Sequence, residues 1–80
     1  MSNKLTPREV EILYLVANGY SNSEIASILF LSPHTIKVIV TSILRKLSAR
    51  NRAQAVFIAA YSGVLKGGKT SRVQSVKQKI

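Results

Sequence analysis

The sequence predicts an all-α fold of four short helices followed by a flexible basic tail. Apolar residues recur at spacings of three and four, which is the period of a helix that buries one face. No segment alternates apolar and polar residues with the period of two that is typical of a half-buried strand. Each predicted helix also follows a residue of the type that caps helix N-termini: Thr6, Ser21, Ser32 and Asn51.

The first two helices each begin with a capping box, in which the cap residue is followed three positions later by glutamate. Helix 1 is predicted from Pro7 to Ala17 and ends at Asn18-Gly19. Helix 2 is predicted from Asn22 to Leu29 and is followed by the short turn Phe30-Leu31. The residues expected to face the core are Val10, Leu13, Val16 and Ala17 in helix 1, and Ile25, Ile28 and Leu29 in helix 2.

The remaining two helices are marked by the same kinds of signal. Helix 3 is predicted from Pro33 to Leu47, with a proline at its first position. Helix 4 is predicted from Arg52 to Ser62 and stops at Gly63. Helices 2 and 3, joined by a short turn, have the layout of a helix-turn-helix unit.

Length and composition favour one small domain. The chain has 80 residues, of which 46% are hydrophobic, enough for one modest core. It contains no cysteine, which excludes disulfides and thiolate metal sites. The longest apolar run, residues 55–61, is far shorter than the roughly 20 residues of a membrane span. No apolar signal segment follows the first residues, so we expect a cytoplasmic protein that does not bind membranes.

The charge is strongly positive and increases toward the C-terminus. Twelve Lys and Arg oppose three acidic residues, for a formal net charge of +9, and every acidic residue precedes position 25. Such an imbalance favours a polyanionic partner, either a nucleic acid or an acidic membrane surface. We expect residues 1–65 to form the folded domain and residues 66–80, which are basic and begin with a glycine-containing linker, to form the tail. The tail is either a solvated charge run or a source of additional phosphate contacts.

Helix 3 carries two faces of different chemistry. At 100° per residue, Ile36, Val40, Ile43 and Leu47 fall on one side and form the expected seat on the core. The opposite side contains no acidic residue and combines basic, hydroxyl and small apolar side chains, which suits the edges of bases in the major groove. It consists of His34, Lys37, Val38, Thr41 and Arg45.

These motifs, in this order, resemble the LuxR-type (GerE/NarL/FixJ) helix-turn-helix domain over residues 5–65 without a gap. The blocks that carry the resemblance are Leu5-Thr6-Pro7-Arg8-Glu9-Val10-Glu11-Ile12-Leu13, Gly19-Tyr20-Ser21-Asn22-Ser23-Glu24-Ile25-Ala26, Leu31-Ser32-Pro33-His34-Thr35-Ile36-Lys37, Ile43-Leu44-Arg45-Lys46-Leu47 and Asn51-Arg52-Ala53-Gln54-Ala55-Val56. The resemblance implies a DNA-binding transcriptional regulator. It also implies that helix 3 enters the major groove of double-stranded DNA and that helix 4 pairs two copies on a pseudo-palindromic site.

Carried onto matching positions, the resemblance implies that Lys37, Val38 and Thr41 contact bases. It places Thr35, Arg45 and Lys46 on the DNA backbone. The homodimer interface is expected on helix 4, which is apolar on nearly every side, at Ala53, Val56, Phe57 and Ala60. The alternative is that helix 4 is enclosed by its own bundle. Glu9 is interpreted as structural, either as a cap or as a partner of a helix 4 arginine such as Arg52.

The chain departs from the family pattern at three positions. Ile39 stands where a histidine is usual, Ser42 where an asparagine is common, and Ser48 where a glycine is usual. The first two changes motivate an alternative function, in which helix 3 reads DNA poorly. The chain would then be a protein-interaction module that forms a heterodimer with a larger LuxR-type regulator.

No enzymatic function is expected. His34 is the only histidine, and the three acidic residues form neither a general acid–base pair nor a set of metal ligands in the sequence. We therefore expect no catalytic residue, metal, cofactor or small-molecule ligand. Only four residues precede the first motif, so the chain is expected to be either a stand-alone, GerE-like regulator or a fragment of a longer protein, and its native-looking N-terminus and long tail favour the first. We expect the regulator to be bacterial or phage-encoded and nucleoid-associated, with RNA polymerase as a further partner.

Overall fold

A computed structural model of the protein describes residues 4–65, and this range contains four helices and no strand. The helices are α1, Pro7–Ala17; α2, Asn22–Leu29; α3, Pro33–Leu47; and α4, Arg52–Ser62. All four lie at the predicted positions, which confirms the all-α class. The predicted tail, residues 66–80, lies outside the described residues, and the division of the chain at residue 65 stays a prediction.

Both predicted capping boxes are present. The Thr6 hydroxyl accepts a hydrogen bond from the backbone N–H of Glu9 at 3.1 Å, and Glu9 Oε1 accepts one from the backbone N–H of Thr6 at 2.8 Å. Ser21 and Glu24 make the same reciprocal pair at the start of α2, at 3.1 and 2.8 Å. These bonds satisfy N–H groups that a helix leaves without an internal partner, so each helix begins at the residue its local sequence specifies.

The core is a single cluster to which all four helices contribute. α3 contacts each of the other three helices, and α1 contacts α4. At the edge of the cluster the hydroxyl of Tyr14 donates a hydrogen bond of 2.7 Å to the carbonyl oxygen of Leu65, which ties the end of the described chain to α1. The buried apolar residues are Ile12, Leu13, Tyr14, Ile25, Ala26, Ile36, Val40, Ile43, Ala55, Ala59 and Leu65.

The buried faces of α1 and α2 differ from the prediction. In α1, Ala17 is exposed, and Glu9 and Ile12 join Leu13 in the buried stripe because α1 turns this side toward α3. In α2, Ile28 is 45% exposed, and the small Ala26 is buried in its place. α2 meets α3 at a steep angle, which turns Ala26 toward the core and leaves Ile28 exposed.

α2 and α3 meet at 109°, an angle typical of a helix-turn-helix unit. The turn between them begins at Phe30, whose backbone is left-handed and whose side chain is 94% exposed. Among residues 4–65, no single helix has the length and apolarity to cross a membrane; α2 and α3 reach those limits only when counted together across this bend.

Ser48 ends α3 in a left-handed conformation, with φ 54°, where the family usually has glycine. This conformation costs a residue with a Cβ atom about 1–2 kcal/mol. Replacement by glycine would remove this cost, but part of the gain in stability is lost because glycine gives the unfolded chain a greater conformational entropy. We expect Ser48→Gly to raise the free energy of unfolding by about 0.5–1 kcal/mol, measured by urea denaturation. Ser27→Gly, in the exposed middle of α2, should lower it; a loss of stability in Ser48→Gly would contradict this account.

Candidate nucleic-acid interface

The two predicted faces of α3 are confirmed by the burial of their side chains. Ile36, Val40 and Ile43 are buried against the other helices, and Leu47 is half-buried. The five residues of the opposite face are all exposed; we call them the α3 outer face, and they are His34, Lys37, Val38, Thr41 and Arg45. Val38, in the middle of the helix, is 54% exposed.

The basic side chains of the α3 outer face are available to a ligand. Within residues 4–65, neither the Lys37 side chain nor the Arg45 side chain forms a hydrogen bond or an ion pair. The net charge of this range is +4. A polyanion that approaches this face can therefore bind Lys37 and Arg45 without breaking an existing ion pair.

Thr41 presents a restricted chemistry. Its hydroxyl donates a hydrogen bond of 2.9 Å to the carbonyl oxygen of Lys37, one turn earlier in α3. The hydroxyl proton is therefore engaged, while the oxygen lone pairs and the methyl group remain available. With Val38, the methyl group of Thr41 adds apolar surface to this face.

Thr35 lies at the start of α3 and takes part in its N-cap. Its backbone N–H donates to the Ser32 hydroxyl at 3.1 Å, and the two hydroxyl oxygens are 2.9 Å apart. The side chain is half-buried. The cap thus orders the first turn of α3, which is the end that enters the major groove in helix-turn-helix proteins.

Lys46 is oriented differently from Arg45. Its ammonium group donates a hydrogen bond of 2.9 Å to Glu9 Oε1, and its side chain is only 27% exposed. Ser42, one turn earlier, donates a hydrogen bond of 2.9 Å to Glu9 Oε2. The i, i+4 spacing of Ser42 and Lys46 places both side chains on one side of α3, which is the signal in the sequence that they could share a partner; the identity of that partner, Glu9, depends on the packing of α3 against α1.

Glu9 is confirmed as a structural residue, through its cap and not through a helix 4 arginine. Arg52 instead contacts the chain before α2, where its guanidinium donates to the side-chain oxygen of Asn22 and, at 3.0 Å, to the carbonyl oxygen of Tyr20. Glu9 is 7% exposed. Burial by itself would raise the pKa of Glu9, but hydrogen bonds from the Thr6 N–H, Lys46 and Ser42 outweigh it, and the pKa lies below its ordinary value.

This lowered pKa predicts a loss of stability in acid. The carboxylate is favoured in the folded state over the unfolded state, so its contribution is present above the unfolded value of about 4.3 and is lost as the pH falls through the folded value. We expect the urea midpoint of the wild type to fall between pH 6 and pH 3, and that of Glu9→Gln to fall less. Glu11→Gln, which removes an exposed carboxylate, should retain the wild-type acid dependence. Equal acid losses in the wild type and Glu9→Gln would contradict the assignment.

The two departures in the middle of α3 lie off its outer face. Ile39 is half-buried and packs against the core cluster, and Ser42 faces Glu9. Val40 is buried, so Val38 alone of the apolar run 38–40 is exposed. Neither departure therefore weakens the chemistry of the α3 outer face.

The predicted dimer residues lie mainly on the uncovered side of α4. Ala55 and Ala59 are the buried residues of this helix. Phe57 is 68% exposed, and its ring stacks on that of Tyr61 with 6.1 Å between centroids. Of the other predicted interface residues, Ala53 and Ala60 are exposed and Val56 is half-buried. The alternative, a helix enclosed by its own bundle, does not hold.

No metal-binding group is found in the described part of the chain, where no three or more His, Asp or Glu side chains converge. An open groove lies between α1 and α2, with Leu5, Val10, Tyr14 and Leu29 among its lining residues. None of the residues that line this groove belongs to α3. The groove and the α3 outer face are therefore separate surfaces.

Comparison with known proteins agrees with this geometry. Residues 3–59 match the profile of a family described as bacterial regulatory proteins, luxR family. The chain is 53% identical over 55 residues to the response regulator protein VraR of Staphylococcus aureus, and equally so to that of Staphylococcus epidermidis. The match covers 69% of this chain but only 26% of either relative. The family match spans the whole helix-turn-helix unit and more than half of the chain, and the protein belongs to the luxR family of DNA-binding regulatory proteins.

Proposed function

We propose that the protein is a sequence-specific transcriptional regulator that reads the major groove of double-stranded DNA with α3 and binds an inverted repeat as a homodimer. The observation that carries the proposal is the α3 outer face, an acid-free surface with two uncommitted basic side chains, presented by a helix-turn-helix unit. Such a surface fits the groove because phosphates flank it on both sides and the edges of bases form its floor.

Three residues of the α3 outer face supply base contacts in this proposal. Lys37 donates hydrogen bonds to the O6 and N7 acceptors of a guanine. Val38 and the methyl group of Thr41 pack on thymine methyl groups, since the hydroxyl proton of Thr41 is engaged with the backbone. A half-site that combines guanine with one or more thymines is therefore expected.

Backbone contacts complete the half-site. Arg45, exposed and without an ion pair in the described range, binds a phosphate in this proposal. Thr35 holds a second phosphate through its hydroxyl or its N-terminal position in α3. The sequence also assigned Lys46 to the backbone, but its ion pair with Glu9 supports a different role, which is developed below.

The homodimer is proposed to form through α4. Ala53, Phe57 and Ala60 are exposed on this helix, and the small alanines allow a second helix to approach closely. A two-fold symmetric pairing would cover the same residues on both copies and would align two α3 helices with two half-sites. Half-sites one helical turn apart, about 34 Å, would suit such a pair.

The wider biological role is proposed on the family and on the names of the relatives. VraR is named a response regulator, and control of transcription with RNA polymerase as a further partner follows for this chain by similarity. We also propose a non-enzymatic role without cofactor or small-molecule ligand, and a nucleoid location in the cytoplasm of a bacterium, whether chromosomal or phage-encoded. The heterodimer alternative rested on Ile39 and Ser42, and since both lie off the α3 outer face, no observation favours it.

Selection of bound sequences from a random duplex library tests the proposal. The full 80-residue chain is used at near-physiological salt. Enrichment of an inverted repeat with guanine and thymine in each half is the expected result, and the half-site spacing reports the geometry of the dimer. Binding without enrichment, or no binding, would overturn sequence-specific recognition.

A further inference from the structure

We propose that Lys46 serves DNA recognition as a positioning residue, acting with Ser42 through Glu9 to hold α3 in place, and does not contact a phosphate. The inference rests on the proposed function, because it concerns how the α3 outer face is held toward DNA. Arg45 and Lys46 are adjacent basic residues for which the family resemblance implies the same role, contact with the DNA backbone, and the inference gives them separate roles.

The partner of Lys46 is itself held in one position. Glu9 Oε1 accepts from the Thr6 N–H at 2.8 Å, so the capping box immobilises the carboxylate before α3 contributes any contact. Oε1 then accepts from Lys46 and Oε2 accepts from Ser42, both at 2.9 Å. Both oxygens of a buried carboxylate are thereby engaged, and α3 is attached to α1 at two points one helical turn apart.

Phosphate binding by Lys46 is disfavoured by the Glu9 carboxylate. A phosphate that shared the ammonium group with Glu9 would lie beside a second negative charge, and an ammonium group that left Glu9 would deprive a carboxylate that is 7% exposed of its cationic partner in the described range. A buried charge without its partner is strongly unfavourable. Lys37 and Arg45 reach a phosphate without any such exchange, so the DNA backbone does not compete effectively for Lys46.

The attachment points lie directly beside the DNA-facing residues. Ser42 follows Thr41, and Lys46 follows Arg45, with about 100° of helical rotation between neighbours. A rotation of α3 about its axis, or a slide along it, would therefore move Thr41 and Arg45 together with Ser42 and Lys46. The apolar contacts of Ile36, Val40 and Ile43 are non-directional, whereas the Glu9 hydrogen bonds specify one rotation.

The salt dependence of binding distinguishes the two roles. Removal of a phosphate contact lowers the slope of log K against log salt by about 0.9, whereas removal of a positioning residue does not change the number of counterions released. We compare Lys46→Met with Arg45→Met, which both remove one positive charge from adjacent positions. The full chain is titrated with the selected duplex and with a scrambled duplex at several salt concentrations.

Arg45→Met is expected to lower the slope by about 1.8, which is about 0.9 for each of the two copies in the homodimer, and to weaken binding to both duplexes alike. Lys46→Met is expected to leave the slope unchanged and to lower the ratio of specific to scrambled binding by about fivefold or more, because misplaced base contacts are lost. Ser42→Ala retains every charge and should lower the same ratio. If circular dichroism shows that Lys46→Met has unfolded, the specificity ratio of Ser42→Ala tests the positioning role instead.

A slope that falls as far in Lys46→Met as in Arg45→Met would overturn this inference alone. An unchanged specificity ratio in folded Lys46→Met or in Ser42→Ala would overturn it as well. Failure of the wild-type chain to distinguish the two duplexes would instead overturn the proposed function, and the positioning role with it.

Discussion

Replacement of both Lys37 and Thr41 by alanine should remove the preference of the protein for its selected site over a scrambled duplex. A good bidentate contact to a base contributes about 1–3 kcal/mol of discrimination, and the homodimer loses the Lys37 contact in both half-sites, so the specificity ratio should fall about 30-fold or more. Both side chains are exposed, and the free energy of unfolding should change by less than about 0.5 kcal/mol. Competition titration measures the ratio, and urea denaturation measures the stability.

A matched control removes the same groups from other helices. Arg8→Ala with Ser27→Ala deletes one positive charge and one hydroxyl from the exposed surfaces of α1 and α2. This variant should bind somewhat more weakly to any duplex but keep the wild-type ratio. If the Lys37 and Thr41 variant also kept that ratio, α3 would not be the helix that reads DNA.

Thymine methyl groups provide a second measurement of the same face. Replacement of thymine by deoxyuridine in the selected site removes only the C5 methyl group, so weaker binding of the wild type would show that this methyl group is contacted. Val38→Ala should be less sensitive to the replacement than the wild type, because the apolar partner of that methyl is already shortened. Equal sensitivity of the two proteins would assign the methyl contact to another residue.

Ile36→Ala should have the largest effect on stability. Ile36 has no exposed surface and lies in the middle of the core cluster, so truncation removes buried surface and leaves a cavity, at a cost of about 2–5 kcal/mol. Small domains are stable by only about 5–15 kcal/mol, so this loss is a large fraction of the total. The shift of the urea midpoint measures it, and specific DNA binding should fall only as far as the folded fraction falls.

Val38→Ala is the natural control, since it lies two positions later in α3 on the opposite face. It removes two methyl groups from a side chain that is 54% exposed and should change stability by less than about 0.5 kcal/mol. The two variants thus separate the roles of the buried and the exposed face of one helix. A larger loss of stability in Val38→Ala than in Ile36→Ala would reverse the assignment of these faces.

The positions of all four helices could be predicted from the sequence, because helix starts and stops are local chemistry. Thr6 and Glu9 satisfy each other across three residues, and the same holds for Ser21 and Glu24. The two faces of α3 could also be predicted, since its hydrophobic positions follow the helical period over fifteen residues. The luxR family could be identified from motif blocks alone.

The tertiary structure decided which side of the shorter helices is buried and what the polar side chains between helices contact. Ala17 and Ile28 belong to apolar sides of α1 and α2 but remain exposed. The sequence offers more than one apolar side on each of these helices, and the direction in which α1 and α2 pack on α3 decides which side is buried. The partners of Glu9 on α3, Ser42 and Lys46, lie 33 and 37 residues away along the chain. Contacts at such separations arise only when packing brings two helices together, and for that reason the sequence placed Lys46 with Arg45 whereas the fold places it with Glu9.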